Sequence, residues 1–504
     1  MKLKALSVAL MSALVVSAAA MADEGPNRTV RTTQAEITSG SLSLTEIRLR
    51  GRIMFATPFN KADGFGEAPG ATAADRRKNG SRGSIQGNGT FTRINGLDSQ
   101  TCAECHGILS STTVPFKFAV GGSGTMNNTV LGGGGASFVN INDDAGQIND
   151  PDGFGTTGQQ NINGRTINPP IVFGSGGIEL VGNEMTADLQ ALKAQADANP
   201  GTPVDLVTKG VSFGTLIANG DGTYDASGVV GVNNDPSSST FLCIQPFGRK
   251  GDNITTRTFD QGALAFHHGM QAVEVLAANL GITEEEAAAI DPDGDGVPNE
   301  VTVGELSAMN IYNAMLEKPR KLRARGKARR GERLFSEIGC AECHVPAMQT
   351  KTTRLGMRYP EIASDPSANV YMTLNLAGNP TFFERNRHGG ITVRMFADLK
   401  RHNMGPDLAE FNGDSSFTTA RLWGVADSAP YLHDGRALTL KEAILIHGGS
   451  GSDAESVVNN FKDLSADDQH AVIEFLKTLK SPATVSTDLD RLAAHLEGRG
   501  HGHR

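Results

Sequence analysis

Aromatic side chains are scarce. Phe, Tyr and Trp make up 6% of the 504 residues, with one Trp in all. A chain of this length holds two or three domains, and so few rings leave their cores short of large apolar groups. Basic charge is also in deficit, with 46 Lys and Arg against 55 Asp and Glu, a formal net charge of −9. That balance argues against nucleic acid and against an anionic lipid surface as partners. Cysteine is rare, with five residues, and no disulfide framework is implied. Beyond the amino terminus no run is long and apolar enough to span a membrane.

At the amino terminus, Lys2 and Lys4 precede an apolar run from Ala5 to Ala20, which ends in Ala20-Met21-Ala22. This reads as a secretory signal peptide, residues 1–22, cut after Ala22. The run is too short, and too soon followed by Asp23 and Glu24, to serve as an anchor. Loss of Lys2 and Lys4 takes the net charge from −9 to −11.

Four of the five cysteines stand in two copies of one pentapeptide, Cys102-Ala-Glu-Cys105-His106 and Cys340-Ala-Glu-Cys343-His344. C-x-x-C-H attaches c-type haem: the thiols add to the vinyl groups and the histidine becomes the proximal iron ligand. A lone C-x-x-C could be a zinc half-site or a redox dithiol, but zinc favours two such pairs close in sequence. Two covalently bound haem c groups are therefore expected, in a chain exported to the periplasm. The 60 glycines and few aromatics fit a loop-rich fold in which porphyrin supplies much of the core. Cys243 is left over and reads as a small buried hydrophobe.

The pentapeptides belong to a wider repeat. Gly331-Glu-Arg-Leu-Phe335 leads directly into the second copy, and Gly51-Arg-Ile-Met-Phe55 precedes the first across an insertion from Asn60 to about Asn95. The fold class expected is mainly α with long irregular loops and two cytochrome c-like haem modules. The divisions are 23–240 for the first module, 241–326 for a helical linker region, 327–482 for the second module and 483–504 for a polar tail. Gly121 to Gly182 lacks helical periodicity and reads as loops and short strands. Helices are expected over Met185 to Ala198, Thr258 to Leu280 and Ser307 to Met315. Lys318 to Arg333 is strongly basic and reads as a solvated face rather than a docking patch. Ser465 and Asp468 open a last helix with the stripe Val472, Phe475, Leu476 and Leu479.

Thr439 and Glu442 form a capping box, and Leu440, Ala443, Ile444 and His447 share one helical face. On spacing alone, His447 is equally a satisfied core histidine or a haem ligand. Asp291-Pro-Asp293-Gly-Asp295-Gly296, with Glu300 beyond, has the alternate carboxylates and the glycine reversal of a calcium loop. Thr302 stands at its twelfth position, where such a loop carries Glu. The competing reading is a solvated acidic turn.

Ser428-Ala-Pro-Tyr-Leu-His433-Asp-Gly435, followed by Thr439-Leu-Lys-Glu-Ala443, resembles the bacterial di-haem cytochrome c peroxidases and MauG-type enzymes. Phe417-Thr-Thr-Ala-Arg-Leu-Trp423-Gly and His402-Asn-Met-Gly405 are more similar to the di-haem oxidoreductase branch. The resemblance runs from about Leu44 to Leu479 and is loosest between the first pentapeptide and Met185. It implies that the residue fourteen beyond His433, which is His447, is the distal ligand of the second haem. That ligation would be bis-imidazole and low-spin, where many peroxidases have Met and MauG-type enzymes have Tyr. It further implies that the first haem, on His106, is the reactive one.

Glu184, with Glu179 beside it, and His267 of the His267-His268 pair are then the candidate catalytic acid/bases. Each competes with an ordinary structural or solvent-facing role. Met185 is an alternative sixth ligand there, and Arg249 and Lys250 could pair with propionates. The function expected is a periplasmic di-haem oxidoreductase, peroxidase-like. It would take electrons from a small cytochrome or cupredoxin and act on peroxide or another substrate. The alternatives are a non-enzymatic electron carrier and a MauG-like protein-modifying oxidase.

Overall fold

The computed structural model describes residues 25–65, 101–104, 106 and 168–482 apart from 293 and 410–412, together with short strands between 92 and 166. The signal peptide, Cys105, Asp293, the polar tail and most of the 60–95 insertion lie outside the described residues. So does the side chain of His267.

The fold is mainly helical, with small open sheets. The helices that frame the site are α1 (Leu44–Ala56), α2 (Ser175–Ala198), α3 (Thr256–Ala263), α4 (Val303–Ala314), α5 (Lys327–Glu337), α6 (Cys340–Cys343), α7 (Leu440–Ile446) and α8 (Ala466–Leu476). Among the described residues no helix is long and apolar enough to cross a membrane.

Two helix crossings repeat one design. On α5, a Cβ at Gly331 would lie 1.8 Å from the Ala471 carbonyl oxygen of α8. On α1, a Cβ at Gly51 would lie 2.0 Å from the Ala308 carbonyl oxygen of α4. Only glycine allows backbones so close. One turn further, Phe335 meets Phe475 with ring centroids 5.3 Å apart, and Phe55 meets Tyr312 at 5.7 Å. The glycine–phenylalanine repeat in the sequence is thus a repeat of packing. The partner of α1 lies in the stretch read from sequence as linker.

Helix α2 begins ten residues before the expected Met185. Gly174, with φ 79°, turns the chain into it. Gly176 and Gly177 then sit where a Cβ would meet the Ala314 carbonyl at 2.1 Å and Phe383 at 2.4 Å. The glycines that hide the helix from a periodicity reading are the ones that let it pack. The helix expected over Thr258–Leu280 is broken: α3 passes into a π turn, Leu264–His268, which Gly269 ends at φ 69°, and Val273–Leu280 restarts. A hairpin unforeseen from sequence, Val204–Thr208 with Val211–Ala218, packs on α2 with a clean alternation of buried and exposed residues along its first strand. The last helix opens as expected, with Ser465 accepting from the Asp468 N–H and Val472, Phe475 and Leu476 buried; Leu479, expected on the same stripe, is buried in the strand Leu479–Lys480 beyond the helix end.

Candidate functional site

The described residues of each pentapeptide form a short turn. In the second, α6 begins after Gly339 at φ 100°, and the His344 N–H bonds the Cys340 carbonyl at 3.0 Å. In the first, Thr101 does the capping: its hydroxyl accepts from the Ala103 N–H at 3.3 Å and donates to the Phe55 carbonyl at 2.8 Å. The His106 N–H returns to the Cys102 carbonyl at 2.8 Å.

The two histidines are held alike. His106 Nδ1 lies 2.9 Å from the Pro170 carbonyl oxygen, and His344 Nδ1 lies 3.1 Å from that of Phe396. A carbonyl only accepts, so Nδ1 carries the proton and Nε2 keeps its lone pair for a metal. Each ring is 6.4 Å from the phenylalanine of its crossing helix, Phe55 or Phe335. Phe259 of α3 adds an edge contact to His106 at 6.3 Å. Burial pushes His106 below its usual range, against the pull of the Pro170 carbonyl. His344 is pushed down to about 4, by burial first and by His447 second. Both imidazoles are neutral, as iron ligation requires.

His447 closes α7 as its C-cap, after the Thr439–Glu442 capping box that the sequence signals. Its Nδ1 donates to the Ala443 carbonyl at 2.6 Å, again leaving Nε2, and burial lowers its pKa. The helix therefore brings His447 within electrostatic reach of His344. Around them lie Phe335, Phe396, Leu440, Phe461, Phe475 and Leu476.

Beside this pair sits a polar cluster that sequence reasoning did not identify. Asp398, nearly fully buried, accepts from His402 Nε2 at 2.8 Å, from the Thr419 hydroxyl at 2.6 Å and from the Lys400 N–H at 3.0 Å. Cys343 Sγ is 3.9 Å from His402 Nδ1. Among the described residues this is the only grouping with metal-ligand spacing. The Asp398 oxygens and His402 Nε2 are already engaged with one another, however, so it reads as a hydrogen-bonded chain rather than a ligand set. Burial works against charge on His402, but the Asp398 and Cys343 hydrogen bonds prevail and raise it to about 10.

Near the first pentapeptide, His268 lies almost wholly buried, with Nε2 3.7 Å from Cys102 Sγ and Phe59 edge-on at 5.6 Å. It follows the sequence-chosen His267 and ends the π turn, an element enriched at functional sites. Glu184 is held elsewhere. It accepts from Lys209 Nζ at 2.6 Å and from the Lys351 N–H at 2.8 Å. Met185 packs in the core under the hairpin, apart from the cluster that holds Cys102. Glu179, one turn earlier on α2, is nearly fully buried and raised to about 7 by burial, then by Glu361. It accepts from the Thr256 N–H at 3.3 Å, at the start of the helix whose Phe259 touches His106. Asp260, next to Phe259, takes both bonds from Asn313 Nδ2 at 2.9 and 3.1 Å, and burial raises it well above its usual range.

Lys250 is engaged at a surface turn, over the Phe417 ring at 3.6 Å and paired with Asp414 at 3.1 Å. Arg421, half-buried, donates to the Pro246 carbonyl at 2.9 Å and has no carboxylate partner among the described residues. Burial alone lowers it to about 10. In the acidic loop, the Asp291 carboxylate accepts from the Gly294 and Gly296 N–H groups, both at 2.8 Å. Asp295 is raised to about 6 by burial, with Asp291 adding to the shift against a hydrogen bond from Val297. Glu300 is buried, and its carboxylate accepts from the Gln271 N–H at 2.7 Å.

Residues 288–479 match the family described as "Di-haem oxidoreductase, putative peroxidase". The cytochrome-c peroxidase IdrP2 of Pseudomonas sp. (strain SCT) is 23% identical over 209 residues, 36% of this chain and 52% of that protein. The chain thus spans about half the length of the curated relative it matches. Among solved structures, a Kuenenia stuttgartiensis hydrazine synthase, pressurised with 20 bar xenon, aligns over 54% of this chain and 78% of its own at 16% identity and a TM-score of 0.24, too low to bear on the fold. Residues 288–479 are thus similar to a di-haem oxidoreductase family domain.

Proposed function

We propose that this protein is a periplasmic di-haem c-type oxidoreductase of peroxidase-like type. The observation that carries the reading is the paired treatment of His106 and His344. Each follows a C-x-x-C turn, and each has Nδ1 tied to a backbone carbonyl and Nε2 kept for iron. The residues fit the group. Cys102, Cys105, Cys340 and Cys343 would attach two haems, His106 and His344 would be proximal ligands, and His447 the distal ligand of the second. Arg421, half-buried and with no carboxylate partner among the described residues, is the cation that a propionate would neutralise. Bound haem would supply one-electron chemistry at both sites and activation of peroxide at the first.

The chain's own residues would divide the work. Helices α1 and α4 back His106, and α5 and α8 back His344. The first module would then comprise residues 25–316 and the second 327–482. With imidazole on both sides, the second site would stay closed and exchange electrons with a small cytochrome or cupredoxin. On the His106 side of the first site, Glu179 and Asp260 are buried carboxyls, bonded by the Thr256 N–H and by Asn313 Nδ2, and burial favours the protonated form of each. The carboxylate of Glu184 is fixed instead by lysine and backbone donors.

The test is haem stoichiometry followed by turnover. Two covalent haems per chain, one high-spin ferric, and oxidation of a reduced donor by peroxide are expected. Two haems that are both low-spin, with no turnover of any donor and no high-valent species on peroxide addition, would make it an electron carrier instead. The enzyme reading would then be withdrawn.

A further inference from the structure

The carbonyl that holds His106 belongs to a short strut with both ends fastened. Asn168 makes three hydrogen bonds to the His433 loop: its N–H donates to the His433 carbonyl at 2.8 Å, and Nδ2 donates to the Pro430 carbonyl at 2.8 Å and the Leu432 carbonyl at 2.9 Å. Pro169 and Pro170 follow, and the Pro170 carbonyl accepts from His106 Nδ1 at 2.9 Å. Proline fixes φ near −65°, so two in succession leave the chain little slack between Asn168 and that carbonyl. Beyond them the strut is packed down. A Cβ on Gly424 would meet Ile171 at 2.5 Å, and one on Gly174 would meet Trp423 at 2.7 Å. The anchor of the first proximal histidine is therefore set from the carboxy-terminal part of the chain, by the loop that leads into the His447 helix.

We infer that Asn168 is a positioning residue for His106, fastening the first site's histidine to the 430–433 loop of the second. The inference rests on the proposal that His106 ligates a haem. An Nδ1–H···O=C bond raises the basicity of the ligating imidazole and stabilises the ferric state. Freeing the strut lets the Pro170 carbonyl drift, weakens that bond and makes the first iron easier to reduce. Asn168→Ala removes two of the three bonds. Asn168→Asp keeps the shape, replaces the donor with an acceptor and sets a charge against two carbonyls.

The experiment is spectropotentiometry of the intact holoprotein, with each midpoint assigned through that haem's own paramagnetic resonance signal. Haem content and thermal unfolding are measured alongside. In both variants the His106 haem is expected to shift upward in potential, more in Asn168→Asp, with two haems per chain retained. Two haems bound with the first midpoint and resonance unmoved in both variants would overturn the inference and leave the proposed function standing. No covalent haem on a Cys340→Ala/Cys343→Ala chain, which keeps the first pentapeptide intact, would overturn both.

Discussion

Gly331 of α5 lies so close to Ala471 of α8 that a Cβ there would stand 1.8 Å from the Ala471 carbonyl oxygen. The obstacle is backbone, which cannot rotate out of the way. Gly331→Ala should therefore force the helices apart and cost about 1–3 kcal/mol or more. Gly51→Ala should act likewise through Ala308. Gly262 is the control: it lies in α3 with nothing within 4 Å of its Cβ position, so Gly262→Ala should be neutral or stabilising by up to about 1 kcal/mol. Denaturant midpoints of the three variants decide the matter.

Exchange of His447 for Met tests the distal ligand. Thioether in place of imidazole raises haem potential, so His447→Met should move the His344 haem upward by a large margin and alter its low-spin spectrum. An unchanged spectrum and midpoint would remove His447 from the site.

Glu179 predicts a pH dependence. Its pKa in the fold is about 7, against an ordinary 4.5. Between those values the unfolded chain has released the proton while the native chain holds it. Stability contributed at this position therefore falls as pH rises from 4.5 towards 7, and the loss is complete above 7. The total is of order 3 kcal/mol. Glu179→Gln should abolish that slope in unfolding measured across pH 4.5 to 8. The same steep fall in the variant would place the titration elsewhere.

The acidic loop predicts a metal dependence. Asp295 and Asp291 repel one another across a tight turn, and a divalent cation would relieve that repulsion. Calcium should raise the unfolding temperature of the wild type and have less effect on Asp295→Asn. Absence of calorimetric affinity, with the same unfolding temperature in chelator, would leave the loop a solvated turn.

The carboxy-terminal half was legible because its signals are local. Thr439 with Glu442, and Ser465 with Asp468, cap helices where the sequence shows them, and Val472, Phe475 and Leu476 face the core. The amino-terminal site was harder to read, for three physical reasons. All twelve residues of α4 are buried, Glu305, Ser307, Asn310 and Asn313 included, so the helix has no solvent face and no apolar stripe marks it as the partner of α1. The glycines that open α2 look like loop and are packing contacts. The His267-His268 pair falls in a π turn, which departs from the ordinary helical spacing. Asp398 and Asn168 lie in no motif, and Arg421 lies inside the Phe417–Gly424 motif without being singled out by it. Each matters because of a partner, or the lack of one, far away in sequence.

The two glycine crossings also set an order of assembly. Gly331 and Ala471 are 140 positions apart, whereas Gly51 and Ala308 are 257 apart. Contacts between distant segments form late, because a longer loop must close first. The Cys102–His106 turn thus leaves any synthesis or export channel well before Tyr312, the ring that stacks behind its Phe55. If haem is attached to that turn as it emerges, attachment takes place on an open chain. The partners of the Cys340–His344 turn, Ala471 and Phe475, follow it at a shorter sequence distance, so attachment there would coincide more nearly with closure of its core.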